Sequence, residues 1–428
     1  MTHNGGSSEL PRLRRVPKFS LDYHDSQHKN WPHVVKFSGG RSSALMLLGL
    51  LYGKQLKRSR GDVIVFNNTS AEHPATYRFA TLCKRIAEQR FNIPFIWTEF
   101  QSFEDARRGK WTRLPSYRMV EPEIFSENCP DGYKCHGEVF EELVSWKQAL
   151  PTRFARTCTE YLKLNTTFKF LEDWFGRSTL NAKTQTDSTP RLGHWFGEPW
   201  LNSSTFGKRS STVRYHLSCP VHRPTQSFQK FTQAKLSRIN NPNIAKKCFD
   251  SKAQLNGPDP VEYISLVGLR ADEPRRVSNI LERNSETDGK KRIASGEYVY
   301  APLFDSGFTK LDVLDFWSTQ VFDLETPPQV NLSNCVFCFM KGERTLREIA
   351  TISESEEQNA QSSPSSISWW ADFENRYARE VTSSKDPNAR TRFGFFGANR
   401  LEYQNIIDTL EEPIQKKPSY TLPCDCTD

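Results

Sequence analysis

The chain has 428 residues, 36% of them apolar and 25% charged, which is enough for one large or two moderate folded domains. No stretch approaches the twenty apolar residues of a membrane span, and the N-terminal MTHNGGSSELPRLRRVPKF lacks the apolar core of a secretory signal; the expected location is the cytoplasm, with no membrane partner. A net charge of +8 is too modest to mark a nucleic-acid binder, and ten cysteines are too few for a disulfide scaffold yet more than packing needs, which favours metal or redox chemistry.

The first element is the apolar strand HVVKF, which breaks into SGGRSS and continues as the helical run ALMLLGLL. Gly39 and Gly40 lack a Cβ and can turn their N–H groups inward, Ser38, Ser42 and Ser43 add hydroxyls, and the helix directs its positive end at the same place. A phosphate is expected there, because this is the first strand-to-helix turn of an α/β pattern. A second strand follows from Val63 to Phe66 and a crossover helix from Pro74 to Gln89, opened by side chains around Asn67 to Ser70. FIWTEF, from Phe95, reads as a third strand, and EVFEELVSWKQAL, from Glu138, as an amphipathic helix. TEYLKLNTTFKFLEDWF is helical in period and ends at Gly176.

From Arg177 to Gly257 there are thirteen Lys or Arg against three Asp or Glu in a polar stretch, which reads equally as a solvated insertion or as a surface for phosphate backbones. YISLVGLR then forms a strand with ADEPRR at its carboxyl end, and EYVYAPLF another. TKLDVLDFWSTQ is a helix capped by Thr309, followed by NCVFCFMKG. A mobile linker is expected from about Ser353, then a helix in WWADFENRYARE and a tail ending PCDCTD. The expected division is a flexible arm over 1–30, a nucleotide-binding part over 31–176, the basic insertion over 177–258, the rest of the α/β domain over 259–350, and a linker and tail over 351–428.

Cys335 and Cys338 form C-x-x-C, a spacing that sets two thiolates on one metal centre. Cys219, or Cys424 and Cys426, are candidates to complete a four-ligand site. Cys129 and Cys135 with His136 are a weaker metal candidate, and Cys83 reads as core. Trp317, Trp369 and Trp370 suit packing first and base stacking second. Arg270, Arg275 and Arg276 flank a strand end, where guanidinium groups can grip phosphate or sulfate.

SGGRSS, FNNTSAEHPATYRF, RTCTEYLK and VGLRADEPRR together resemble the phosphoadenosine-phosphosulfate reductase family, over about residues 30 to 345. The nearest flavour is the phage and bacterial members allied to the sulfur-transfer proteins of DNA phosphorothioation. The resemblance implies a doubly wound parallel sheet of the adenine nucleotide α-hydrolase-like (HUP) type, with a PP-loop that splits ATP between its α and β phosphates. It implies ATP or a related adenylyl nucleotide with Mg2+, held by Ser38 to Ser43, by Asn67, Asn68 and Thr69, with Glu72 and Thr76 shaping the pocket, and by the three arginines.

It also places Cys158 beside Cys335 and Cys338, the ligands of a 4Fe-4S cluster with zinc as the alternative, and gives Ser38, Arg41, Ser43, Cys158 and Lys163 the catalytic parts. The activity implied is ATP-dependent sulfur transfer onto an acceptor such as tRNA or DNA, fed by a sulfur-donor protein. The alternatives are a sulfonucleotide reductase and a non-catalytic nucleotide-dependent nucleic-acid-binding module. Two departures stand out: the loop reads SGGRSS where the ATP pyrophosphatases have SGGKDS, and the C-terminal Glu-Cys-Gly-Leu-His of the reductases is missing.

Overall fold

The computed structural model describes residues 10–105, 112–174, 263–284, 297–327, 332, 334–356, 363–382 and 390–412. The basic insertion, and with it Cys219, Cys424 and Cys426, lies outside them.

Seven strands form the main sheet: β1 (His33–Phe37), β2 (Val63–Asn68), β3 (Phe95–Asp105), β4 (Thr112–Ile124), β5 (Gly132–Tyr133), β6 (Tyr263–Leu266) and β7 (Glu297–Tyr300). Their order is β5-β4-β3-β2-β1-β6-β7, parallel except for the antiparallel β3–β4 pair. Period-two alternation covers both faces. Val34, Val63 and Val65 pack on one side with Phe170 and Trp174 of α4 (Thr166–Trp174), whereas Val35, Phe37, Ile64 and Phe66 pack on the other beneath α1 (Arg41–Tyr52) and α2 (Pro74–Arg85). Nine of the twelve residues of α1 are buried, so this helix is apolar nearly all round and sits inside the layer. The molecule is thus an α/β protein with a mostly parallel sheet.

Three expectations change. From Leu10 on, the segment read as a flexible arm lies against the core: Phe19 is buried, its N–H donates to Gly49 O at 3.1 Å, and Leu13 and Val16 pack nearby. The apolar side chains of the arm supply enough buried area to fix it. Periodicity marks no element between Phe100 and Glu138, yet β4 and β5 occupy much of that span; Pro115 and Pro122 hide β4, and β3 supplies its pairing partner.

The part read as linker and tail is, where described, a folded unit. It comprises α8 (Glu343–Glu356), α9 (Ile367–Tyr377), the strands β8 (Arg379–Thr382), β9 (Arg390–Gly394) and β10 (Gly397–Ala398), and α10 (Tyr403–Asp408). Trp370, Phe373, Phe395 and Tyr403 from this unit share one core with Phe140 of α3 (Glu138–Lys147) and with Val336, Phe337 and Phe339 of the cysteine loop. Trp317, Trp369 and Trp370 are buried packing anchors, with Trp317 Nε1 donating to Arg41 O and Trp370 Nε1 to Pro364 O, each at 2.9 Å. No helix among the described residues is long and apolar enough to cross a membrane.

Candidate functional site

Strand order reverses between β1 and β6, and at such a switch point the carboxyl ends of neighbouring strands diverge into a crevice. The Ser38–Ser43 loop closes this end of β1. Gly39 has φ +79°, and a Cβ there would stand 2.5 Å from Thr76 Cγ2, so the loop can lie against α2 only with glycine at this position. Gly40 is the N-cap of α1 and offers no side-chain cap, which leaves the helix end open to an acceptor. The Ser43 hydroxyl donates to Gly40 O at 2.9 Å and accepts from Ser38 Oγ at 2.9 Å, knitting the loop.

The end of β6 presses on the same loop, since a Cβ on Gly268 would meet Ser43 Cα at 2.9 Å. From there Arg270 donates to Ser42 Oγ at 3.2 Å, while also pairing with Asp272 at 2.9 Å and Glu273 at 3.3 Å. Arg276 pairs with Glu273, and Arg275 is exposed on α5 (Pro274–Leu281). Of the three arginines, Arg270 is the one joined to the loop by a hydrogen bond. Arg41 does not bend over the loop. Its guanidinium forks onto Asp323 at 2.8 Å and donates to the Thr326 carbonyl at 2.9 Å.

Beyond β2 the expected nucleotide readers turn out to be engaged in the protein's own network. Asn67 bonds Thr167 Oγ1 at 2.8 Å and accepts from Thr98 at 2.9 Å; Asn68 bonds the buried Glu99 at 2.7 Å and accepts from Tyr77 OH at 3.1 Å. Thr69 Oγ1 donates to Glu72 Oε1 at 3.0 Å and lies 3.4 Å from Cys335 Sγ, and the backbone of Glu72 bridges to that of Cys335. Glu72 and Thr69 therefore stand at the join between the strand ends and the cysteine loop.

That join opens into a cavity of roughly 370 Å³, counting the open space at its mouth. Cys158, Cys335 and Cys338 all line it, with Thr69, Lys163 and Asn334; Phe140, Phe339 and Trp370 supply an apolar wall. Cys158 immediately precedes a π-helical turn, Thr159–Asn165, the kind of irregular turn that recurs at functional sites. The turn carries Lys163 into the interior, where Nζ donates to Asn334 Oδ1 at 3.1 Å. Asn334 holds φ +59°, which bends the chain into C-x-x-C. Lys341 Nζ caps Val336 O at 2.8 Å, and Tyr403 OH donates to Phe337 O, so the two residues between the cysteines are tied down through their carbonyls. Burial first, and then the nearby cysteines and Glu374, push the Tyr403 hydroxyl far above its ordinary pKa, so it remains a donor.

No described group of three His, Cys, Asp or Glu side chains is close enough to hold one metal ion. Cys129 and Cys135 build no centre with His136: Cys129 Sγ lies 3.5 Å from Glu123, and burial beside Glu138 and Glu99 pushes the Cys135 thiol up to about 11. Cys83 is fully buried core. Asn334 and the aromatic wall escaped the sequence reading; the only signal was that Asn334 directly precedes the cysteine pair.

Fold and site together define an α/β protein with a glycine–serine loop and a thiol-lined cavity at the carboxyl edge of a mostly parallel sheet. The chain is 24% identical over 310 residues to an uncharacterized nin region protein, ORF290, of Escherichia phage lambda, an alignment covering 72% of this chain and 66% of that protein. No family model matches the chain. No solved structure matches it.

Proposed function

We propose that the protein is a PP-loop enzyme of the phosphoadenosine-phosphosulfate reductase type, with a HUP-type nucleotide site, acting in the cytoplasm as an ATP-dependent sulfurtransferase. The observation that carries the reading is the 3.4 Å approach of Thr69 Oγ1 to Cys335 Sγ, which sets a strand end beside the nucleotide loop against the thiol cavity. In this reading the Ser38–Ser43 loop and the N-terminus of α1 bind the departing pyrophosphate with Mg2+, and Arg270 steadies the loop through Ser42. An acceptor oxygen attacks the α phosphorus and becomes a leaving group; sulfur then displaces AMP. Positioning and charge neutralisation supply the rate.

Cys158, Cys335 and Cys338 would hold the 4Fe-4S cluster, which with three protein ligands supplies one open iron where sulfur can bind. Lys163, fixed by Asn334, brings a buried positive charge to thiolates that burial alone would disfavour. A second reading, a nucleotide-dependent binding module without turnover, draws on Arg41, whose guanidinium is committed to Asp323.

Anaerobic purification tests the cavity: iron and sulfide near four each per chain are expected, lost in Cys158→Ser, Cys335→Ser and Cys338→Ser. Zinc without sulfide would sink the cluster. Pyrophosphate release from ATP, assayed with and without tRNA or DNA, tests the loop, and ATP binding without release would favour the module.

A further inference from the structure

Between α3 and the cysteine-bearing π turn the chain makes a tight turn that holds itself. Thr152 N donates to Ala155 O at 3.0 Å, Thr152 Oγ1 accepts from Phe154 N at 3.3 Å and from Ala155 N at 3.1 Å, and Thr157 N donates to Ala155 O at 2.8 Å. These bonds fix the turn without the side chains of Arg153 and Thr157.

Both of those side chains are partly buried, and each brings one polar atom out of reach of solvent: Arg153 Nε and Thr157 Oγ1 have no hydrogen-bond partner among the described residues. A guanidinium N–H and a hydroxyl stripped of water with nothing in exchange each weaken a fold. Two of them four residues apart in one fixed turn mark a place built for an acceptor. Thr152, in the same turn, has its hydroxyl engaged by the backbone.

Electrostatics restricts what that acceptor is. From Gln148 to Thr159 there are two arginines and no acid, and the turn runs directly into Cys158 and Thr159, which line the cavity. Lys163 is among the lining residues, and no Asp or Glu is. The acceptor is therefore an anion. A guanidinium engages two oxygens side by side, and the Thr157 hydroxyl needs a further one, so a group with three or four oxygens satisfies the set where a carboxylate, its two oxygens taken up by the fork, does not.

We propose that Arg153 and Thr157 form a binding site for a tetrahedral oxyanion at the approach to the cysteine cavity, separate from the Ser38–Ser43 loop. The site goes beyond the sulfur-transfer reading and does not depend on it. Its chemistry is common to thiosulfate, a small sulfur donor, and to a phosphoryl group carried by a substrate.

Isothermal titration of the full chain with thiosulfate, sulfate and phosphate, in a buffer free of other oxyanions, tests the site. The unaltered chain is expected to bind, with Arg153→Gln weakening binding about tenfold or more and Thr157→Val about fivefold. Arg153→Lys, which keeps the charge without the fork, should restore binding only in part, and Thr157→Ser should restore it fully. Arg344→Gln, which removes an exposed charge on α8, is the control that should not change it. Thr157→Val should melt no lower than the unaltered chain when no anion is present, because the hydroxyl it removes has no partner. Absence of binding, full binding in Arg153→Gln and Thr157→Val, a melting loss in anion-free Thr157→Val, or binding abolished by Ser42→Ala and Arg270→Ala instead would each overturn the site. Tighter binding of thiosulfate than of phosphate identifies a sulfur donor as the ligand and the reverse a phosphoryl group, and either result supports the site. Pyrophosphate release and iron content, measured on the same preparations, report the catalytic reading separately: their absence with anion binding intact would remove that reading alone.

Discussion

Gly39 sits where a side chain has neither room nor a relaxed backbone, whereas Gly40, at φ −95° and ψ 165°, takes extended backbone open to any residue. Gly39→Ala should therefore cost roughly 1–3 kcal/mol in urea unfolding and, in the proposed reading, abolish ATP binding, with Gly40→Ala costing much less. Equal effects of the two would show that backbone geometry at Gly39 is not what shapes the loop. The turn was legible in the sequence because glycine and serine between an apolar strand and an apolar helical run are turn chemistry. The use of Arg41 was not legible: a cation in a phosphate loop reads as a phosphate ligand, and only the arrival of Asp323 from 282 residues away diverts it. The hydrogen bonds of Asn67 and Asn68 were illegible for the same reason, as their partners Thr167 and Glu99 come from other elements.

Among elements, the connection between α7 (Lys310–Ser318) and the cysteine loop bears most on the site. Arg41 holds it at Asp323 and Thr326, and Arg78 of α2 pairs with Glu325 in the open. The Arg41–Asp323 pair is partly exposed, so Asp323→Ala should cost only about 1–2 kcal/mol. Its sharper expected effect is faster alkylation of Cys335 and Cys338, read by peptide mapping, with Cys158 as the internal reference. Unchanged rates would mean that the latch does not steady the cysteine loop. The capping box that opens α7 at Thr309 was visible as a local pattern. The π turn after Cys158 was not, because its stability comes from packing against other elements rather than from residues adjacent in the chain.

At the scale of the whole molecule, Glu374 ties the elements of the C-terminal unit to one another. It is 1% exposed, and its two oxygens accept from Phe395 N and Tyr403 N, both at 2.8 Å. Burial raises its pKa to about 7, opposed by those two N–H groups and Arg392 and assisted by the charge of Glu402. The folded state thus holds this proton more tightly than the unfolded one. Stability from this group is gained as pH falls from about 7 toward 4.5, and the full cost of the buried charge is present above about 7.

Glu374→Gln should lose that slope, shifting the difference in unfolding free energy between pH 8 and pH 5.5 by about 2 kcal/mol. Parallel pH curves for the two proteins would refute it. His33 works the other way and must be separated by this difference. Burial lowers its pKa to about 3, so its contribution is complete above 6.5 and is lost as pH falls toward 3.

Strands β1, β2, β3, β6 and β7, the helices that cover them, the glycine loop and the C-x-x-C pair were all determined by the sequence, because each depends on residues adjacent in the chain: apolar period, turn chemistry, caps. Tertiary structure decided what those pieces face. It paired β4 with β3, laid the N-terminal arm on α1, turned an apparent tail into a second core, and brought Cys158, Lys163, Cys335 and Cys338 to one cavity beside Thr69. Contacts across 100 to 300 residues leave no period in a sequence; they follow from which apolar faces find each other once the sheet has formed.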